Sequence, residues 1–166
     1  MRYHSFLISV LVFFSLSGCV APSKNENGSN SLGHIGLAPL TVTEQQFFSE
    51  SLQRDMVINV VLPRGYENTD SRYPVLYLCH GLTSNYHEFE YVGVPEYLNR
   101  FDMIVVMVDV GNSWYVNWAQ SEDNQHNNYS DHVCKDVINY IDNHYRTVAD
   151  RKGRAINGIS DRKSVV

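Results

Sequence analysis

The sequence predicts an α/β fold, an open and largely parallel sheet with flanking helices. Two observations carry that expectation. Val75-Leu76-Tyr77-Leu78-Cys79 and Met103-Ile104-Val105-Val106-Met107-Val108 are continuous apolar runs without polar alternation, as expected of strands covered on both faces. Residues 130–145 then carry Val133, Val137 and Ile141 on one stripe, the pattern of an amphipathic helix. Strands alternating with helices along the chain specify a layered α/β sheet rather than a bundle or a sandwich.

The elements follow in chain order. Arg2 and the mostly apolar stretch from Phe6 to Leu16 read as the charged and hydrophobic parts of a secretory leader. That stretch is shorter than the roughly 20 residues needed to cross a bilayer. It ends in Leu16-Ser17-Gly18-Cys19, which resembles a bacterial lipobox, with Cys19 as the residue that takes the lipid. Residues 1–18 are therefore expected to be a lipoprotein signal peptide. Residues 19–40, rich in Pro, Ser, Asn and Gly, are expected to be a flexible tether. The folded domain, residues 41–160, would then be held at the bacterial cell envelope, on the outer membrane or the periplasmic face, with the membrane touched through the N-terminal lipid only.

Within the domain, Thr41 to Leu62 reads as two strands or a hairpin, rich in β-branched residues and closed by Pro63. Arg64 to Arg72 is a polar turn region. After Val75–Cys79, a short helix is expected at Pro95 to Arg100, and Met103–Val108 is the next strand. Ser130 or Asp131 is placed to cap the amphipathic helix, with Cys134, Ile138 and Tyr145 beside its stripe and Lys135, Asp136, Asn139, Asp142 and Asn143 facing away. A further short strand is expected at Arg154–Gly158.

Composition narrows the function. The 166 residues are 43% hydrophobic, enough for one globular domain and too apolar for wholesale disorder. Thirteen Lys and Arg against eighteen Asp and Glu argue against a nucleic-acid partner. Three scattered cysteines make neither a disulfide scaffold nor a zinc site. Cys79 and Cys134 read as core residues. Asp123, His126, Asp131 and His132 lie close in sequence but match no standard metal spacing, so no metal and no cofactor is expected. His87, His132 and His144 read as surface or helix residues, and Asp109 as an orienter of the loop it opens.

In α/β sheets, ligands bind beyond the carboxyl ends of the strands. Three segments occupy those ends here: Cys79-His80-Gly81-Leu82-Thr83, Asp109 to Tyr115, and Asn157-Gly158-Ile159-Ser160. Together with Tyr73-Pro74-Val75-Leu76-Tyr77-Leu78-Cys79-His80-Gly81, Ser113-Trp114-Tyr115 and Arg154-Ala155-Ile156-Asn157-Gly158-Ile159-Ser160, they resemble the putative esterase family. That family has the α/β-hydrolase fold and includes S-formylglutathione hydrolases, feruloyl and acetyl-xylan esterases and mycolyltransferases. The resemblance runs over about residues 45–160 and identifies the N-terminal half of such a sheet.

The resemblance implies a serine carboxylic ester hydrolase. Ser160 would be the nucleophile, exposed at a sharp strand-to-helix turn. The backbone N–H groups of Leu82 and Asp161 would form the oxyanion hole, and Gly81 would let the backbone approach the substrate. His80 would shape that loop, and His80, Trp114 and Tyr115 would line the substrate pocket. A small-molecule, glycan-linked or lipid ester is the expected substrate. An acyltransferase or thioesterase of the same fold, or a non-catalytic lipoprotein binding a glycan or partner, are the alternatives.

The end of the sequence departs from that pattern. The family places glycine two residues after the serine, and here that residue is Arg162. The triad acid and the late histidine are missing, so the chain reads as a C-terminally truncated fragment, inactive as it stands. Residues 161–166 form a non-family tail. Asp-Arg-Lys-Ser-Val-Val followed by a stop is encoded by GAT CGG AAG AGC GTC GTG TAG, which resembles a sequencing adapter, so the tail is expected to be an artefact. Arg154–Gly158 is expected to be an exposed sheet edge.

Overall fold

A computed structural model describes residues 40–98, 100–119 and 126–160. The expected leader, the lipidation site Cys19, Asp123 and the tail with Asp161 lie outside the described residues. No described helix is long and apolar enough to cross a membrane.

The fold is α/β. Strands β1 (Val42–Ser49) and β2 (Arg54–Val61) form a hairpin. β3 (Val75–Cys79), β4 (Ile104–Val108) and β5 (Arg154–Gly158) complete one sheet in the order β1-β2-β4-β3-β5. The sheet is mixed rather than largely parallel: β1–β2 and β2–β4 are antiparallel, β3–β4 and β3–β5 parallel. The short turn after β1 leaves no length for a crossover, so the chain must return antiparallel.

Each face of the sheet has its own cover. On one, Ile58, Val60, Tyr77, Val106 and Val108 pack with Val133, Val137 and Ile141. On the other, Val61, Leu78, Val105 and Met107 pack with Phe89, Val94 and Leu98. This two-sided burial is why the β3 and β4 runs show no alternation. Each fully buried Val or Ile contributes on the order of 1.5–3 kcal/mol. The second cover consists of α1 (Glu88–Tyr91), which the sequence reading did not anticipate, and α2 (Val94–Leu98), with Pro95 in its first turn. α1 is too short to display a helical period.

The amphipathic helix is α3 (Tyr129–Asp131), a π-helical stretch (His132–Val137) and α4 (Ile138–His144) in succession. Ser130 and Asp131 lie inside it and do not cap it; the N-cap position is Asn128, whose side chain makes no capping bond. The π-helical stretch shifts the helical phase, which alters which side chains face inward. Cys134 is exposed rather than in the core, and neither Cys79 nor Cys134 is in a disulfide. His132, read as a surface or helix residue, is completely buried.

Asp136 and Asp142, expected to face away, are anchors. Asp136 Oδ2 accepts from Ser49 Oγ at 2.6 Å and from Ser51 N at 2.8 Å, fastening the β1–β2 turn to the helix. Ser49 donates to a carboxylate, so the 2.9 Å contact to His132 is Nδ1–H donating to Ser49 Oγ. Asp142 pairs with Arg154 at the start of β5 and accepts from Thr147 Oγ1 at 2.6 Å. β5 itself pairs only with β3 among the described residues, and Ala155, Ile156 and Asn157 are exposed.

Burial favours the neutral His132 imidazole and pushes its pKa down to about 4, against the opposing pull of Asp136. The unfolded imidazole titrates near 6.5. Between those values the unfolded chain binds a proton that the folded chain refuses, so stability falls as pH drops through that window. Urea unfolding should show the wild type losing on the order of 3 kcal/mol more than His132→Gln between pH 7 and pH 4. Parallel stability curves for the two would contradict this.

Candidate active site

β3 lies between β4 and β5, and the three strands end level, with Cys79 in register with both Val108 and Gly158. The chain after β3 moves to one neighbour and later returns to the other. In open α/β sheets the ligand crevice lies above such a reversal of strand order. The loops after β3, β4 and β5 meet there.

All three loops are held in unfavourable backbone. Thr83, Tyr115 and Ser160 have φ of 65°, 57° and 68°; the fourth non-glycine residue with positive φ among the described residues is Gln53, in the β1–β2 turn. Left-handed backbone costs a residue with a Cβ on the order of 1–3 kcal/mol, and it concentrates where a site must be held in one geometry. Ser160 is the sharpest case. Ile159 N still donates to Cys79 O at 3.2 Å, extending the β3–β5 pairing. The chain therefore leaves the sheet abruptly at Ser160, which is exposed.

The β3 loop is fastened from several directions. His80 Nδ1 lies 2.8 Å from Gly81 O, and Val110 N donates to His80 Nε2 at 3.3 Å. Together these specify the Nδ1–H tautomer. Tyr115 Oη donates to His80 O at 3.2 Å, and Gly81 N donates to Glu88 Oε2 at 2.6 Å. Asp109 Oδ1 accepts Gly111 N at 2.7 Å and lies 3.4 Å from His80 Nε2. Burial works to raise the Asp109 pKa, but the carboxyl, which accepts from the Gly111 amide, is held below its ordinary value.

The expected site residues separate into two groups. Ser160, Leu82 and Trp114 are exposed at the strand ends, Leu82 at 46% and Trp114 at 44%. His80 and Tyr115 do not line an open pocket. They are 0% and 3% exposed and prop the loop from beneath, because their polar groups are turned onto neighbouring backbone. Gly81 sits against Ile159: a Cβ there would stand 3.6 Å from Ile159 Cγ2 and 3.5 Å from Glu88 Oε1. Those are ordinary contacts, so packing alone does not demand glycine. Leu82 N has no hydrogen-bond acceptor among the described residues.

Glu88 was missed from the sequence. Its partner is a main-chain amide seven residues away, and no side-chain pattern records such a bond. No described His, Cys, Asp and Glu residues group to hold a metal ion. No described histidine bonds to Ser160. His80 and His132 are buried in the contacts above, His87 Nδ1 lies 2.7 Å from Glu90 Oε1, and His144 Nδ1 lies 2.7 Å from Tyr140 O. A cleft of about 470 Å³ between Thr41 and Arg64 lies at the opposite end of the strands.

Comparison with known proteins agrees on one class. The family model described as "Putative esterase" matches residues 49–161. Esterase Rv1288 of Mycobacterium tuberculosis is 33% identical over 106 residues, covering 62% of this chain and 23% of that protein. A solved ferulic acid esterase superposes with a TM-score of 0.65 at 27% identity, over 77% of this chain and 53% of its own. FphF, a fluorophosphonate-binding serine hydrolase of Staphylococcus aureus, shares the fold with a TM-score of 0.63 at 24% identity, over 73% of this chain and 48% of its own. The chain thus spans about a quarter of the curated relative and about half of the solved enzymes.

The left-handed turn makes a prediction that needs no substrate. Ser160→Gly and Ser160→Ala both remove the hydroxyl, but only glycine accepts positive φ without strain. Urea unfolding should find the glycine variant more stable than the alanine variant by about 1 kcal/mol. Equal stabilities, or a more stable alanine variant, would mean that the turn is unstrained.

Proposed function

The chain belongs to the putative esterase family, and from that premise we propose that it carries the nucleophile side of a serine carboxylic ester hydrolase site. One observation supports this reading above the others: Ser160, exposed and left-handed at the carboxyl end of β5, beside a β3 loop whose Leu82 amide is unpaired among the described residues. The hydroxyl oxygen attacks the ester carbonyl carbon. The oxygen of the tetrahedral intermediate accepts from Leu82 N–H and Asp161 N–H. The alcohol leaves with the proton taken from Ser160, and water then releases the acid from the acyl-serine.

That proton needs a base, and no described histidine is bonded to Ser160. The base and its acid partner therefore come from a segment other than the described residues. The exposed apolar side chains on the same loops, Leu82, Trp114 and Ile159, suit an ester with an apolar or aromatic acyl group. The relatives' ferulic acid esterase activity supports the same choice. The lipobox-like Leu16-Ser17-Gly18-Cys19 supports an envelope location for the enzyme, where glycan-linked and lipid esters are available.

Two preparations test the proposal: the 166-residue polypeptide and the complete product of the source locus, whether it ends at Val166 or beyond. A fluorophosphonate probe should label the complete product at Ser160, and Ser160→Ala should abolish labelling. The 166-residue polypeptide should turn over p-nitrophenyl acetate negligibly. An unlabelled complete product would refute the hydrolase reading. Robust Ser160-dependent turnover by the 166 residues alone would refute the need for an outside base.

A further inference from the structure

We propose that Glu88 is the positioning residue of the oxyanion loop. The proposal rests on the hydrolase reading of Ser160 and deepens it.

The β3 loop offers successive backbone N–H groups to the crevice, and its chemistry depends on which of them is free. Gly81 N is not free: it donates to Glu88 Oε2 at 2.6 Å, a short bond to a charged acceptor. Gly81 O is also occupied, with His80 Nδ1 at 2.8 Å and Ser84 N at 3.3 Å. His80 O accepts from Tyr115 Oη. With both polar groups of the Gly81 residue tied, the peptide plane before Leu82 has a fixed orientation. Leu82 N is left without an acceptor among the described residues, next to the point where Gly81 meets Ile159.

Glu88 thereby selects the donor. It withdraws one amide from the crevice and turns the next one into it, without touching the reacting atoms. Preorganised donors are effective because they do not reorient as charge develops. Loosening the Gly81 amide frees the His80–Gly81 peptide to tilt, which moves Gly81 and with it the Leu82 amide that follows, and the cost falls on the chemical step rather than on substrate binding. The acceptor is what matters. A glutamine carbonyl at position 88 preserves the bond, whereas alanine or leucine removes it.

The test uses the complete locus product with two readouts. In amide hydrogen exchange, Glu88→Ala should lower Gly81 protection by at least about 10-fold while Val106, in the sheet core, is unchanged, and Glu88→Gln should restore most of it. With p-nitrophenyl acetate, Glu88→Ala should lower kcat by about 10-fold or more with KM within about twofold, and Glu88→Gln should recover most of kcat. If the alanine variant loses Val106 protection, Glu88→Leu keeps the bulk without an acceptor and reads the same quantities. Wild-type kcat in the alanine or leucine variant, or a glutamine variant no better than alanine, overturns the proposal. Gly81 protection in a wild type that shows no Ser160-dependent turnover means instead that the hydrolase reading has failed, and the role of Glu88 falls with it.

Discussion

Parallel pairing of β3 with both β4 and β5 is the constraint on which the rest depends. In this register the three strands begin and end together, so Cys79, Val108 and Gly158 stand in one row. Each chain must leave the sheet at that row, and three loops are thereby brought to one place. The hairpin β1–β2 and the Asp136 anchor contribute at a distance, by fixing the edge against which β4 lies. Loss of register between β3 and β5 by one residue would reverse the facing of every side chain along β5. Ser160 would then have no fixed relation to the β3 loop.

Strain and hydrogen bonding divide the work at the strand ends. Three left-handed residues store unfavourable backbone energy in the three loops, and the buried polar groups beneath hold that backbone in place. His80, Tyr115 and Asp109 spend their polar atoms on main-chain groups rather than on solvent or substrate. The surface above presents the opposite character, with Leu82, Trp114 and Ile159 exposed. A rigid polar underside and an apolar rim are what a site for an ester needs: fixed donors for the carbonyl oxygen, and little competition from water for the acyl group.

The sequence was most legible where two faces of an element are buried. The uninterrupted apolar runs of β3 and β4, and the stripe Val133, Val137 and Ile141, all correspond to elements of the structure. It was least legible where the structure turns on a single hydrogen bond or a phase shift. The π-helical stretch moves His132 into the core and Cys134 out of it, and nothing in the spacing of the apolar residues records that extra residue per turn. Asp136 and Asp142 look like solvated helix positions until the β1–β2 turn and Arg154 are folded against them. At the candidate site, chain order alone brings Ser160 and Leu82 to neighbouring strand ends. That His80 and Tyr115 face backbone instead of a pocket depends on side-chain rotation, which residue type does not specify.

Ser160, left-handed at the end of β5, stands on the same row of strand ends as the β3 loop, whose Leu82 N has no acceptor among the described residues. A crystal structure of the complete locus product after reaction with a fluorophosphonate tests that arrangement most directly. Phosphorus should be bonded to Ser160 Oγ, with its phosphoryl oxygen within about 3 Å of Leu82 N and Gly81 N still bonded to Glu88. A phosphoryl oxygen turned to solvent, or held by groups other than the β3 loop, would contradict it.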